Sequence, residues 1–227
     1  MANQKILTDQ LKASSYEKFN HISTLIVIGP MPLIENTYFP KESFGIIYVD
    51  GGILHSDKIK MMFADAPHIS LGDGDSLKKN SSSHVLDFQF SPVKNRSDFA
   101  IALASVPDHC EEIYCYGFSG GDVAHELCNY GEIQYFLNNH KKPIILTLKG
   151  KNQRIIASNQ EVFTFHHKGR FTLFCLEEIR FQISGDCEYN CDQDTSLFPL
   201  SSLGLSNVGF GKINIKSDKP YFIVINE

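Results

Sequence analysis

Tryptophan is absent from the 227 residues, so aromatic packing falls to 17 phenylalanines and 9 tyrosines, enough to build a core without it. Positive charge is also in short supply. Lys and Arg total 21 against 26 Asp and Glu, giving a net charge of −5 and an isoelectric point near 6.0. That balance argues against a nucleic-acid or anionic-membrane surface, because such binding needs a basic face to displace counterions. An anionic nucleotide remains compatible if a metal ion or backbone dipoles supply the positive charge. Long apolar runs are missing: the longest are strand-sized, too short to span a bilayer. The six cysteines (Cys110, Cys115, Cys128, Cys175, Cys187 and Cys191) form no Cys-x-x-Cys pair and have no histidine cluster at zinc spacing. With no signal peptide apparent, they read as free thiols in a reducing compartment, and a cytoplasmic location is expected.

What is present is an alternation of strand and helix patterns. Thr24–Pro30 and Gly45–Asp50 are short β-branched runs that stop at turn residues, as buried parallel strands do. The spacing of Ile53, Ile59, Met62 and Phe63 suits a helix. His68–Leu71 and Val85–Phe90 read as strands, and Ser97 or Asn95 can cap a helix through Phe99, Ile101, Ala102 and Val106. Ile113–Tyr116 and Ile144–Leu148 are further strands flanking a helix over Val123–Leu137. Such repeats predict a mainly parallel sheet with flanking helices, an α/β unit over residues 1–149. From 150 to 227 the texture changes to short strands (162–165, 171–176, 180–183, 212–215 and 221–225) separated by Gly, Asn, Asp and Ser. That half is expected to be a small all-β sandwich or barrel. His166 and His167 are placed on a strand turn at the surface, and Ser81–Ser83 in a solvated loop.

Three glycine turns follow three strands. Gly72-Asp73-Gly74-Asp75-Ser76 offers two carboxylates where glycines allow a phosphate close, a pattern that suits Mg²⁺, which takes one or two carboxylates plus substrate phosphates. A polar Asp/Gly turn is the plain alternative. An EF-hand is excluded, since positions six and twelve from Asp73 are Lys78 and His84. Asp50-Gly51-Gly52 ends one strand, and Gly117-Phe118-Ser119-Gly120-Gly121 ends another and precedes a helix. The latter is neither a Gly-x-Gly-x-x-Gly nor a Gly-Lys-Ser/Thr loop, yet a glycine loop between strand and helix makes a plausible phosphate or ribose cradle.

In order, Asp50-Gly51-Gly52, Gly72 to Ser76, Lys94-Asn95-Arg96-Ser97-Asp98, Gly117 to His125 and Gly204-Leu205-Ser206-Asn207 resemble the motifs of the thiamine pyrophosphokinase family, across essentially the whole chain. That family shows Asp-Gly-Gly, Gly-Asp-Phe-Asp-Ser, Lys-Asp-x-Thr-Asp, Gly-x-x-Gly-Gly-Arg-x-Asp-His and Gly-x-Ser-Asn. The resemblance implies a homodimeric enzyme that transfers a diphosphate from Mg-ATP to thiamine, releasing AMP. It implies an ATP- and Mg²⁺-binding domain over 1–149 and an acceptor-binding domain over 150–227. Carried over, Asp73, Asp75 and Asp98 are the metal and catalytic residues. Asp50, Gly51, Gly52, Ser76, Lys94, Gly120, Gly121 and His125 lie on the nucleotide, and Tyr189, Ser206 and Asn207 on the acceptor.

The departures are specific. Asn95 and Ala124 stand where the family has Asp, Asp122 where it has Arg, Gly74 where it has an aromatic residue, and Val208 where a Glu commonly follows. Three readings stay open: a thiamine pyrophosphokinase, a member with a changed acceptor, and an inactive nucleotide- or thiamine-binding protein.

Overall fold

The computed structural model describes residues 2–34, 37–79 and 83–226. Ser81 and Ser82 of the expected serine loop lie outside them. The first half builds a parallel sheet from β1 (Thr24–Ile28), β2 (Phe44–Val49), β3 (His68–Gly72), β4 (Phe88–Gln89), β5 (Glu112–Tyr116) and β6 (Ile145–Lys149), in the order β6-β5-β1-β2-β3-β4. Every residue of β1 and β2 is buried, which explains their unbroken apolar character. Successive side chains alternate between two cores. Leu25, Val27, Ile47 and Val49 enter one, while Ile26, Ile28, Ile46 and Tyr48 enter the other.

Helices cover both faces: α1 (Ala2–Lys18), α2 (Ser56–Met62), α3 (Asp75–Lys79), α4 (Asp98–Ala104) and α5 (Val123–Asn139), with a 3-10 turn over Asp50–His55 leading into α2. Ser97, not Asn95, caps α4, its hydroxyl accepting from the Ala100 N–H at 3.1 Å. Helix α1 has no counterpart in the sequence reading. Its inward stripe is only Leu7, Leu11 and Ser15, spaced four apart, and one of the three is polar. The Val85–Phe90 strand shrinks to two residues because the Asp87 carboxylate takes both the Ser70 N–H (2.8 Å) and the Ser70 hydroxyl (2.9 Å), replacing the backbone ladder there.

The second half is all β: β7 (Gln153–Ser158), β8 (Val162–Phe174), β9 (Ile179–Cys187), β10 (Cys191–Leu197), β11 (Asn207–Ser217) and β12 (Tyr221–Asn226). These strands continue the same hydrogen-bonded sheet, twelve strands in all, through the antiparallel β6–β7 pair. All six contribute to one buried cluster that includes Ile156, Phe171, Phe181, Leu197, Ile213 and Ile223, so this part of the sheet must close around its own core. Strand β8 runs unbroken through His166 and His167, which therefore sit within a strand and not at a turn, paired opposite Lys212 and Gly211. Strand β10, with the polar sequence CDQDTSL at the sheet edge, gave no alternation to read.

Strand β12 joins the halves physically. Tyr221, Ile223 and Ile225 face the β core, while Phe222 faces the α/β core and stacks on Phe174 at 4.7 Å between centroids. Truncating Phe222→Ala should cost about 3–5 kcal/mol. Because β12 serves both cores, urea unfolding should remain a single transition at a lower midpoint, read by circular dichroism and by tyrosine fluorescence. A variant in which only one signal shifts would show that the two cores unfold independently.

Candidate functional site

The parallel strands deliver their carboxyl ends to one edge, and the strand order reverses between β1 and β5, where open α/β sheets form a crevice. A cavity of about 420 Å³ lies there, bounded by Pro30 and Met31 after β1, Asp50 after β2, Asp73 and Asp75 after β3, and the loop 117–122 after β5. Pairing outlasts the strands: the Gly29 N–H donates to Tyr116 O at 2.7 Å and the Met31 N–H to Gly117 O at 3.2 Å, which fixes the glycine loop beside β1.

Asp50, Asp73 and Asp75 each bring a carboxylate oxygen within 4.8 Å of the others. Backbone geometry makes that convergence. Asp50 sits at φ 47, a strained position for a non-glycine residue, directly beside Gly72, where a side chain would lie 2.7 Å from the Asp50 Cα. Only glycine at 72 lets the ends of β2 and β3 approach so closely. Asp50 Oδ2 accepts from the Ser76 hydroxyl at 2.5 Å, while Asp50 Oδ1 is buried and has no hydrogen-bond partner among the described residues. Asp75 is exposed, and its hydrogen bond from Lys79 at 2.7 Å holds its carboxyl below the usual range.

Asp98 stands apart from this trio. The Lys94 ammonium reaches it at 3.3 Å and Asp73 at 3.0 Å, and the lysine side chain is only 9% exposed. Burial pushes the Asp98 carboxyl above its ordinary range despite that lysine, and Asp98 Oδ1 is buried without a partner among the described residues. Burial alone would lower the Lys94 pKa, but the bonds to Asp73 and Asp98 outweigh it and raise it. The expected trio of Asp73, Asp75 and Asp98 is thus arranged as Asp50, Asp73 and Asp75 in one group, with Asp98 tied to it through Lys94. Hard oxygen donors with an unmet acceptor on Asp50 suit a Mg²⁺ ion.

Ser76, Gly121 and His125 line the same cavity. Gly51 lies against Ser76 and Pro30, and Gly120 belongs to the loop above. Gly52 has a packing reason of its own: a Cβ there would sit 2.0 Å from Ile28 O, so the turn after β2 can rest on β1 only with glycine. Tyr189, Ser206 and Asn207 lie elsewhere, in the C-terminal half, Tyr189 in the β9–β10 connection and Ser206 just before β11, and none of them lines this cavity. Asn207 accepts from the Tyr189 N–H at 3.1 Å and donates to Tyr189 O at 2.7 Å, pinning the β9–β10 connection.

Sequence reasoning missed Glu126 as a site residue and treated Asp122 only as a departure. Both line the cavity. Asp122 caps α5, its Oδ1 accepting from the Ala124 N–H at 2.9 Å and the His125 N–H at 3.1 Å, and Glu126 Oε1 accepts from the Gly120 N–H. The available signal was an Asp directly before a helical pattern, the residue type that caps helices.

The fold and crevice define a doubly covered parallel α/β sheet extended by a β region, with an acidic site at the strand ends. Solved structures similar to this chain include thiamine pyrophosphokinases. That from Bacillus subtilis is 20% identical with a TM-score of 0.64, covering 89% of this chain and 98% of that one. That from Geobacillus thermodenitrificans is 16% identical with a TM-score of 0.66, covering 90% and 97%. That from Candida albicans is 14% identical with a TM-score of 0.64, covering 92% and 91%. Sequence comparison matches no protein-family model and no curated protein. Among the described residues, no helix is long and apolar enough to cross a membrane.

The raised Asp98 pKa carries a stability consequence. The folded state holds the Asp98 proton more tightly than the unfolded state, so this contribution to stability is present below the unfolded pKa and lost as pH rises through the folded value. Asp98→Asn, which mimics the protonated form, should melt higher than the parent at pH 7 and lose that advantage near pH 3. Melting curves across that range test it; a lower melting temperature at pH 7 would refute it.

Proposed function

We propose that the chain is a magnesium-dependent pyrophosphokinase that moves a diphosphate from ATP to the hydroxyl of thiamine, giving thiamine diphosphate and AMP. The observation that carries this reading is the convergence of Asp50, Asp73 and Asp75 at the strand ends of a fold matched to thiamine pyrophosphokinases over about nine-tenths of the chain. Mg²⁺ held by these three carboxylates would neutralise phosphate charge.

The chain's own residues position the reactants. The acceptor oxygen bonds to the β-phosphorus as the bond from that phosphorus to the α,β-bridging oxygen breaks, and AMP leaves with the bridging oxygen. Asp98 orients the hydroxyl and takes its proton, a task favoured by burial that makes it more basic than an ordinary carboxylate. Lys94 keeps Asp73 and Asp98 in register and remains charged. Residues 1–149 serve the nucleotide, through Gly51, Gly52, Ser76, Gly120, Gly121 and His125. Residues 150–227 serve the acceptor, through Tyr189, Ser206 and Asn207. Since the acceptor residues do not line the acidic cavity of their own chain, a second copy completes the site in this reading. Phe198, Leu200, Leu203, Leu205 and Phe210, between 55% and 67% exposed on the C-terminal half, give a homodimer apolar surface to bury.

A changed acceptor is the second reading. It is favoured by Asn207, whose amide is already engaged at both ends on Tyr189.

Incubation with Mg-ATP and thiamine should yield AMP and thiamine diphosphate in equal amounts. Asp73→Asn or Asp75→Asn should cut that rate by roughly a hundredfold or more, and Asp75→Asn, at an exposed position, should leave the melting temperature nearly unchanged. Undiminished AMP release in both variants would dismiss the metal role, and AMP formation with other alcohols only would select the changed acceptor.

Light scattering should report about twice the 25.6 kDa chain mass. A fully active monomer would refute the shared site.

A further inference from the structure

The cavity is unusually anionic for a phosphate site. Asp50, Asp73, Asp75, Asp98, Asp122 and Glu126 line it, against Lys79 as the lining lysine, with Lys94 behind committed to Asp73 and Asp98. A glycine loop leading into a 17-residue helix would ordinarily offer its N–H groups to a phosphate. Here the chain fills them itself. Asp122 Oδ1 takes the Ala124 and His125 N–H groups, and Glu126 Oε1 takes that of Gly120. At the opposite wall, Asp50 Oδ1 and Asp98 Oδ1 are buried carboxylate oxygens without partners among the described residues, which is unmet demand for a cation. The two ends of the cavity therefore call for the same ligand chemistry: positive charge is wanted at the acidic wall, and no amide donor among those three is free to receive negative charge at the loop.

We propose that Asp122 and Glu126 are specificity-determining residues for the donor, acting as internal anions on the glycine loop, so that a polyphosphate is accepted only with divalent cations bound to it at the acidic wall. This rests on the nucleotide reading above and deepens it. The loop amides hold the chain's own carboxylates, and free polyphosphate is repelled by them. Cation-complexed polyphosphate enters because its charge is met at Asp50, Asp73 and Asp75. Asp122 keeps a second task, the α5 cap, which Asn performs equally well. Gln at 126 likewise retains an oxygen for the Gly120 N–H. Charge can thus be removed with both hydrogen-bond patterns kept.

Calorimetric titration of ATP into the parent, the double variant Asp122→Asn/Glu126→Gln and a control, Glu111→Gln, tests this. Glu111 is exposed and precedes β5, at the end of that strand away from the cavity. With excess Mg²⁺ the double variant should bind roughly tenfold more tightly than the parent, the size expected when two near-contact charges in high dielectric are partly screened. In EDTA the parent should show no binding and the double variant measurable binding, with the control behaving as the parent throughout. Parent and double variant binding Mg-ATP equally, or the double variant binding more weakly, would overturn the proposal and leave the nucleotide site standing. Parent binding of metal-free ATP as tightly as Mg-ATP would also overturn it. No binding by any of the three would sink the proposal and the nucleotide reading together. Binding of Mg-ATP by the double variant alone would also overturn the proposal, because the parent must accept the cation-complexed donor.

Discussion

Four carboxylates, those of Asp50, Asp73, Asp75 and Asp98, are brought to one edge of the parallel sheet, and their mutual repulsion is the constraint that the surrounding structure answers. Lys94 is the main answer. Nearly buried, it spans Asp73 at the end of β3 and Asp98 at the start of α4, tying a strand end to a helix start through the connecting loop. Losing Lys94 would leave both the Asp73 and Asp98 carboxylates without their cation, which is far costlier than losing a surface ion pair. The strained backbone of Asp50 and its unpartnered oxygen are further costs concentrated in the same place. The strain at Asp50 and the unpartnered oxygens of Asp50 and Asp98 coincide with the crevice, which is what makes it the candidate site.

The rest of the sheet supports that edge. Burial on both faces makes β1 and β2 rigid, so the turns after them are held in place by two cores at once. Gly52 seats the turn after β2 on the end of β1, and Gly72 lets β3 crowd Asp50. These glycines act through close packing of backbone on backbone. The resemblance to nucleotide-binding turns and the steric demand of the sheet thus fall on the same residues, and the steric reason holds whatever the ligand.

The C-terminal strands are not a separate body hung from the first. The β6–β7 antiparallel pair carries the hydrogen-bond ladder across the change of texture, and β12 turns one face to each core. Movement of the β region relative to the acidic crevice would break side-chain packing around Phe222, Phe174 and Tyr130. The acceptor residues of the proposed enzyme therefore stay at a fixed distance from the crevice of their own chain, which is why a second copy enters the functional reading.

Much of this was legible in the sequence, and the legible part has a common physical basis. Buried parallel strands are apolar on both faces, glycine turns end them, and Ser97 precedes a helical pattern, all local signals carried by neighbours in the chain. The three glycine turns, with Asp50, Asp73 and Asp75 in them, were found the same way, whereas Asp98 came from the family resemblance and Glu126 was missed. Elements with weak local contrast were lost: α1 has a stripe of three small contacts, and β10 has no apolar alternation because it lies at an edge. What the sequence by itself determined is the alternation of strands and helices from β1 to β6 and the residue types gathered at the strand ends. Only the tertiary structure decided that Asp50 joins Asp73 and Asp75 while Asp98 is held off by Lys94, that Asn207 is engaged by Tyr189, and that Asp122 and Glu126 fill the glycine loop. The Asp50 cluster and the Asn207–Tyr189 contact link residues distant in the chain, the others lie close in sequence, and all depend on side-chain distances and directions that no local pattern encodes.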